Sequence, residues 1–336
     1  MTTTTAAPST AGAHPTADPG RPRRRRVTLV LGLLALGTLV AFCTVGLTGN
    51  LEYALGLRLR KAAAMVVVGV AIAYSSVLFQ TVTHNRILTP GIMGFDALYM
   101  LIQTLIVFFA GAMTLTGADP RLLFVVQAGA MIAFALALHR WLFDRHSRDL
   151  YVLVLVGVIF GTLFASMSSL AARLINPNDF VTLQDSFFAG FNSVDDQLLW
   201  ASAVLLAALG GVGVRLFPRL DVVALGRDTA VGLGVDHRRV VHRSLMLVAV
   251  LVSVSTALVG PITFLGVLVA NLARQLTGTF RHATVVPAAA AVSVITLAGG
   301  QLLLEQVFDM DTVLSVIINF VGGIYFIALL VRESTR

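Results

Sequence analysis

SLMLVAVLVSVSTALVGPITFLGVLVANLARQL, residues 244–276, is one nearly unbroken apolar stretch. A helix crossing the hydrocarbon core of a bilayer needs about 20 residues, so this stretch is too long for one crossing. Its natural break is GPITF, Gly260 to Phe264. Proline cannot donate within a helix and biases the residue before it toward extended backbone. Two spans follow, not one. Working outward, runs of spanning or near-spanning length with at most a charge or two, mostly at their ends, fall at 27–49, 62–83, 95–117, 121–140, 150–173, 197–217, 244–260, 262–276, 283–304 and 312–332. The expectation is an all-α, polytopic membrane protein with about ten transmembrane helices.

The composition agrees. Hydrophobic residues make up 57% of the 336 and charged residues 12%, about half the charged share of a soluble domain. The mean hydropathy is +0.87. A net charge of +7 could point to nucleic acid, but the cations sit at the ends of apolar runs and form no basic face. That is a topology signal. With the N-terminus in the cytoplasm, 19 of the 24 Lys and Arg residues fall on the cytoplasmic side and 5 outside. Both termini are then cytoplasmic. Residues 1–20, rich in Thr, Ala and Pro, read as disordered. With the RPRRRR block (Arg21 to Arg26) they make a disordered basic leader, 1–26, ahead of an uncleaved first helix and a membrane domain over 27–332. Cys43 is the only cysteine, so no intrachain disulfide is possible.

Motifs for chemistry are missing. The chain contains no GxxxxGK[ST] phosphate loop, no HExxH pair and no GxSxG elbow. Its seven histidines lie in loops or at helix ends and read as interfacial, with no metal site and no cofactor. A coupled carrier keeps ionisable groups at mid-membrane, and only Asp96 comes close. The energy for any transport must come from another subunit, so the chain reads as no enzyme. A self-sufficient carrier, a channel, a membrane enzyme and a receptor are the competing classes. Intramembrane acids or bases would favour the first, and a catalytic motif or soluble domain the last two.

Three local patterns stand out. LDVVALGRDTAVGLGVDHRRVVHR, residues 220–243, is helical in pattern yet too polar to enter a bilayer. It is either a solvated basic loop or a short docking helix, and Gly226, Ala230 and Gly234 favour docking, with glycine turns at the ends and a small residue between. Gly157, Gly161, Ala165 and Ser169 recur at four-residue intervals and imply close helix packing, while Ser166 and Ser168 could instead line a pathway. Asp96, Tyr99 and Gln103 share one face of the third span, where Asp96 either favours the helix dipole or begins a polar route with the other two. The external segment INPNDFVTLQDSFFAGFNSVDD, 175–196, reads as a partial helix at the outer surface around FVTLQDSFFAGF.

Several stretches together resemble the permease subunits of iron–siderophore, haem and vitamin B12 ABC importers, the FecCD type. VGPITFLGVLVANLARQLTG (259–278) is similar to that family's AGPIxFxGLxxPHxxRxLxG signature. HNRILTPGIMG (84–94) looks like its NPLADPGLLG loop, LGRDTAVGLGV (225–235) its LGxxxAxxLGV loop, and LGLRLRKAAA (55–64) its LRLPR segment. The likeness runs from about residue 30 to the end, in the family's order. It implies a ten-helix type II importer fold like that of the vitamin B12 permease, in the bacterial plasma membrane. It implies that 220–240 is a coupling loop on a cytoplasmic ATPase dimer, through Leu225, Gly226, Ala230, Leu233 and Gly234. It also implies a gate at Asn85 and Ile87, with Arg86 where the family has proline. Arg58 and Lys61 match the cations that receive an external binding (lipo)protein, although a third such arginine falls at Glu305. Cations that snorkel at a helix end are the competing reading of Arg58, Arg60 and Lys61. Asp96, Tyr99, Gln103 and Ser166 are the pathway candidates. A second, non-identical permease and iron–siderophore cargo of the ferric catecholate type complete the expected assembly; haem and cobalamin are the alternative cargoes.

Overall fold

The computed structural model describes residues 21–46, 51–144, 150–192, 194–308 and 313–334. Among them are fourteen α-helices and one 3-10 turn, with no strand. In chain order the helices are α1 (Arg21–Thr44), α2 (Leu51–Val82), α3 (Phe95–Ala110), α4 (Ala112–Gly117), α5 (Pro120–Asp144), α6 (Leu150–Ala172) and α7 (Pro177–Ser186). There follow α8 (Asp196–Val214), α9 (Phe217–Val223), α10 (Arg227–Gly232), α11 (His237–Val259), α12 (Leu265–Thr277), α13 (His282–Val307) and α14 (Leu314–Ser334). The 3-10 turn, Pro90–Met93, precedes α3.

Nine of the ten apolar runs fall on one helix each, the third, 95–117, is divided between α3 and α4 at Gly111, and not every helix is a full span. Seven are long and apolar enough to cross a membrane: α1, α2, α5, α6, α8, α11 and α13. Of the remaining three, α3 with 16 residues and α12 with 13 fall short, while α14 runs for 21 residues. At 1.5 Å per residue, α12 rises only about 20 Å.

The break at GPITF explains the shortness of α12. Gly260 ends α11 at φ +96°, in the region glycine adopts without steric cost, and α12 starts only at Leu265. The chain spends Gly260 to Phe264 in non-helical backbone. Such backbone is tolerated at membrane depth only where protein surrounds it, and Val259, Gly260 and Ile262 are buried. The cover comes from the external segment. Its helix is Pro177–Ser186, earlier than the apolar centre expected to be helical. The tail that follows is tucked in: Ala189 and Phe191 are buried, and the Gly190 N–H donates to the Val259 carbonyl at 2.8 Å.

Burial sorts the bundle. In α2 and α11, 72% of the most apolar stretch is buried, against 22% in α1 and α8 and 17% in α6. The first pair forms the centre, joined by α13. The outer helices turn leucine and valine outward, which costs nothing where the solvent is lipid.

One boundary is corrected. Arg21 to Arg26, expected in a disordered leader, form the first turns of α1. Pro22 sits where a helix misses no N–H, and arginine is a good helix former. Residues 1–20, and Arg145, His146 and Arg148, lie outside the described residues.

Candidate functional site: coupling segment, gate loop and outer face

The polar stretch after α8 folds into two short helices, α9 and α10, separated by Gly226 at φ +105° and closed by Gly234 at φ +77°. Both values require a residue without a Cβ to avoid strain. Asp236 then caps α11, its carboxylate accepting from the Arg239 N–H at 3.0 Å and pairing with that guanidinium at 2.9 Å. Ala230 departs from the sequence reading. Instead of facing a partner it is fully buried in the chain's own core. Its small side chain lets α10 lie against α9 and α11. What faces outward is Leu225 at 53% exposure, Val231 at 59% and Leu233 at 63%. Three large apolar side chains are thus left open on an otherwise charged segment.

Beside this segment lies the loop between α2 and the 3-10 turn. The Asn85 Oδ1 accepts from the Ile87 N–H at 2.9 Å, which folds the asparagine back on its own loop. Asn85 is exposed and Ile87 half-buried. His84 is the described non-glycine residue with positive φ, +50°, and its ring bonds the Thr81 carbonyl at 2.8 Å. The loop is tied down from α12: the Asn271 Nδ2 donates to the Arg86 carbonyl at 2.8 Å, and Arg274 donates to the Gln80 side chain. Asn271 went unremarked in the sequence, although it stands where the signature has histidine. A groove of about 860 Å³ separates the loop (His84, Asn85, Leu88) from the coupling segment (Arg227, Val231) and from Tyr151 of α6.

A second group of residues joins the same elements. Asp221 of α9 accepts two hydrogen bonds on Oδ1, from the His282 N–H at 2.8 Å and from its ring Nδ1 at 2.6 Å. The other ring nitrogen meets the Thr81 hydroxyl at 2.9 Å. His282 is 1% exposed, not the solvated interfacial histidine that its place at a helix end suggested. His139 is buried as well. Only contact across the fold could show either.

The pathway candidates divide. Asp96 bonds the Thr263 hydroxyl at 3.1 Å, joining the start of α3 to the link before α12. The Tyr99 hydroxyl accepts from Gln103 at 2.8 Å, and both residues are buried. Ser166 faces outward on α6 and spends its hydroxyl on the Thr162 carbonyl. Ser168, not Ser166, meets α3, at 2.7 Å from Thr104. Half of the small-residue stripe packs as expected. A Cβ on Gly157 would stand 3.0 Å from Met93 Cα, and one on Gly161 3.1 Å from Gly94 Cα. Ala165 and Ser169 are exposed.

At the other end of the molecule, Arg58 and Lys61 turn toward Glu305, at 3.2 and 3.9 Å. Arg58 also donates to the carbonyls of Phe42, at 2.7 Å, and Val45. Both cations are mostly covered, with side-chain exposures of 15% and 18%. Arg60 points outward and pairs with Asp196. Among the described residues no three His, Cys, Asp or Glu side chains converge as a metal would need.

Comparison with known proteins places this architecture. The chain is 48% identical over 286 residues to the petrobactin import system permease protein YclO of Bacillus subtilis (strain 168), covering 85% of this chain and 91% of that protein. It is 36% identical to the petrobactin import system permease protein FatC of Bacillus anthracis, over 82% of this chain and 78% of that one. In fold it is similar to a metal-chelate type ABC transporter solved in an inward-facing conformation. The TM-score is 0.79 at 21% identity, over 91% of this chain and 99% of that one. The profile of the FecCD transport family matches residues 27–332, and with that match the chain belongs to the FecCD transport family.

Proposed function

We propose that this chain is a transmembrane permease subunit of an ATP-driven importer that carries iron–siderophore complexes across a bacterial plasma membrane. The observation that carries the cargo class is the 48% identity with a petrobactin import permease, sustained over 91% of that permease's length. ATP is hydrolysed on a separate ATPase pair, which docks on 220–240. The outward Leu225, Val231 and Leu233 support that docking, since apolar side chains on a polar segment gain by being covered. The termini and the coupling segment lie in the cytoplasm, supported by 19 cations on that side against 5.

An external binding protein delivers the cargo, and a second, non-identical permease completes the pathway. The asymmetry at Glu305 supports the second permease. With Arg58 and Lys61 drawn onto a carboxylate of their own chain, this subunit offers a binding protein less free positive charge than the family pattern provides. The two cations remain candidates for docking only after release from Glu305. Asn85 and Ile87 belong to the gate loop, and Asp96, Tyr99, Gln103 and Ser166 remain the pathway candidates.

The test is uptake into vesicles containing the complex with its ATPase, a second permease and a binding protein. The panel is ferric petrobactin, another ferric catecholate, a ferric hydroxamate, haem and cobalamin, each radiolabelled. ATP-dependent uptake confined to the ferric catecholates is expected. Uptake of haem or cobalamin in their place overturns the cargo class, and uptake without ATP overturns the ABC reading.

A further inference from the structure

Thr81, Asp221 and His282 bridge the end of α2, the start of α13 and α9. Asp221 is on α9, four residues before the exposed Leu225 that begins the coupling surface. Thr81 is on the last turn of α2, two residues before the gate loop, and its carbonyl holds the His84 ring. His282 stands between them at the start of α13. Its Nδ1–H goes to the Asp221 carboxylate at 2.6 Å, and its Nε2 faces the Thr81 hydroxyl at 2.9 Å. The carboxylate takes a second bond from the His282 backbone N–H at 2.8 Å, which fixes both ends of the residue. Phe217, also on α9, covers the ring with centroids 6.0 Å apart.

Hydrogen bonds to a charged group are about twice as strong as neutral ones, and the ring that joins the two ends is itself buried, at 1% exposure. A displacement of α9 cannot leave His282 behind without stripping the Asp221 carboxylate of two donors. The cheaper response is for His282, and with it the end of α2, to follow. A groove of about 860 Å³ lies between coupling segment and gate loop.

We propose that Asp221, His282 and Thr81 form a strut that carries movement of the coupling segment to the gate loop, with His282 as a positioning residue for transport. This rests on the importer reading above. The strut differs from a static clamp in one respect: breaking it separates ATP hydrolysis from gate movement and leaves assembly intact.

The experiment uses the full permease–ATPase complex in a Cys43→Ser background. A reporter cysteine at exposed Arg86, in the gate loop, is labelled with a maleimide without nucleotide and after trapping with ATP and vanadate. With His282 present, the labelling rate is expected to change roughly five-fold or more, the range of coupling between linked sites. His282→Ala and Thr81→Val are expected to abolish that change while the ATPase still co-purifies and hydrolyses ATP. His282→Gln, whose carboxamide can donate to Asp221 and keep a polar atom against the Thr81 hydroxyl, is expected to restore most of it. Thr81→Val removes the far contact together with the hydroxyl's own bond to the Val77 carbonyl within α2, and it keeps the side-chain shape, so it gives a result even where His282→Ala folds poorly. An unchanged labelling response in Thr81→Val overturns the strut. So does parallel loss of ATPase binding and labelling response in both variants, which is the behaviour of a clamp. If the reporter complex with His282 intact shows no nucleotide response, the importer reading has failed instead.

Discussion

Glu305 carries a charge opposite to the one its position calls for, and its carboxylate is 13% exposed between Arg58 and Lys61. A mostly buried ion pair is costly to break from one side, about 3–5 kcal/mol, because the remaining charge is left without a partner. Arg58→Glu places two carboxylates together where one was compensated. We expect it to lower the thermal stability of the purified permease far more than Arg60→Glu, measured by the melting midpoint in one detergent. The Arg60–Asp196 pair is about half exposed, and such pairs contribute about 0–1 kcal/mol. Equal effects of the two substitutions would show that the inner cluster holds nothing together. The complementary change, Glu305→Gln, frees Arg58 and Lys61. If the binding protein uses them, its affinity at low salt rises, and the gain shrinks as salt screens exposed charge; an unchanged affinity assigns docking elsewhere.

Between elements, the contact of α3 with α6 and the packing of α10 are decided by single small residues. Gly94 and Gly161 approach so closely that a Cβ on either meets backbone at 3.1 Å. Gly161→Val forces the helices apart, and overpacking of this kind costs about 1–3 kcal/mol. Its expected signature is a lowered melting midpoint, whereas Ala165→Val, on the exposed half of the same stripe, leaves it unchanged. If both behave alike, the stripe is not a packing seam within this chain. Ala230 answers to the same logic. Ala230→Trp acts first on the chain's own core and should destabilise the free permease. Leu233→Asp should leave that stability intact and reduce co-purification of the ATPase. Normal ATPase recovery with Leu225→Asp and Leu233→Asp together would remove the contact surface from the account.

For the molecule as a whole, the checkable quantity is which side each loop occupies. In a Cys43→Ser background, cysteines at the exposed residues Asn192 and Asp228 are expected to react with an impermeant maleimide from opposite sides of the membrane. Labelling from one side would mean that α8 does not cross, and the charge count of 19 against 5 would lose its meaning. A short α12 is compatible with the expected alternation because its partner is the buried link before it, Gly260 to Phe264, and not lipid.

How much of this was legible without coordinates follows from the range of the forces involved. Apolar runs, the GPITF break and the cation asymmetry are local properties of the chain acting against a uniform solvent, the bilayer. They were enough for the all-helical class, the ten helices and, through motif order, the family. Glycine turns at Gly226 and Gly234 were legible for the same reason, since φ is a local matter. The inward turn of Ala230, the burial of His282, the anchoring of the gate loop by Asn271 and the claim of Glu305 on Arg58 and Lys61 were not. Each depends on a partner between 61 and 247 positions away, or on a neighbouring helix. Hydropathy says that a residue is near a membrane boundary, not what stands opposite it. By itself the sequence determined which stretches are apolar helices and which family the chain joins. The tertiary structure alone decided which polar side chains are paired across helices, because a buried hydrogen bond is set by distances of about 3 Å that no one-dimensional pattern encodes.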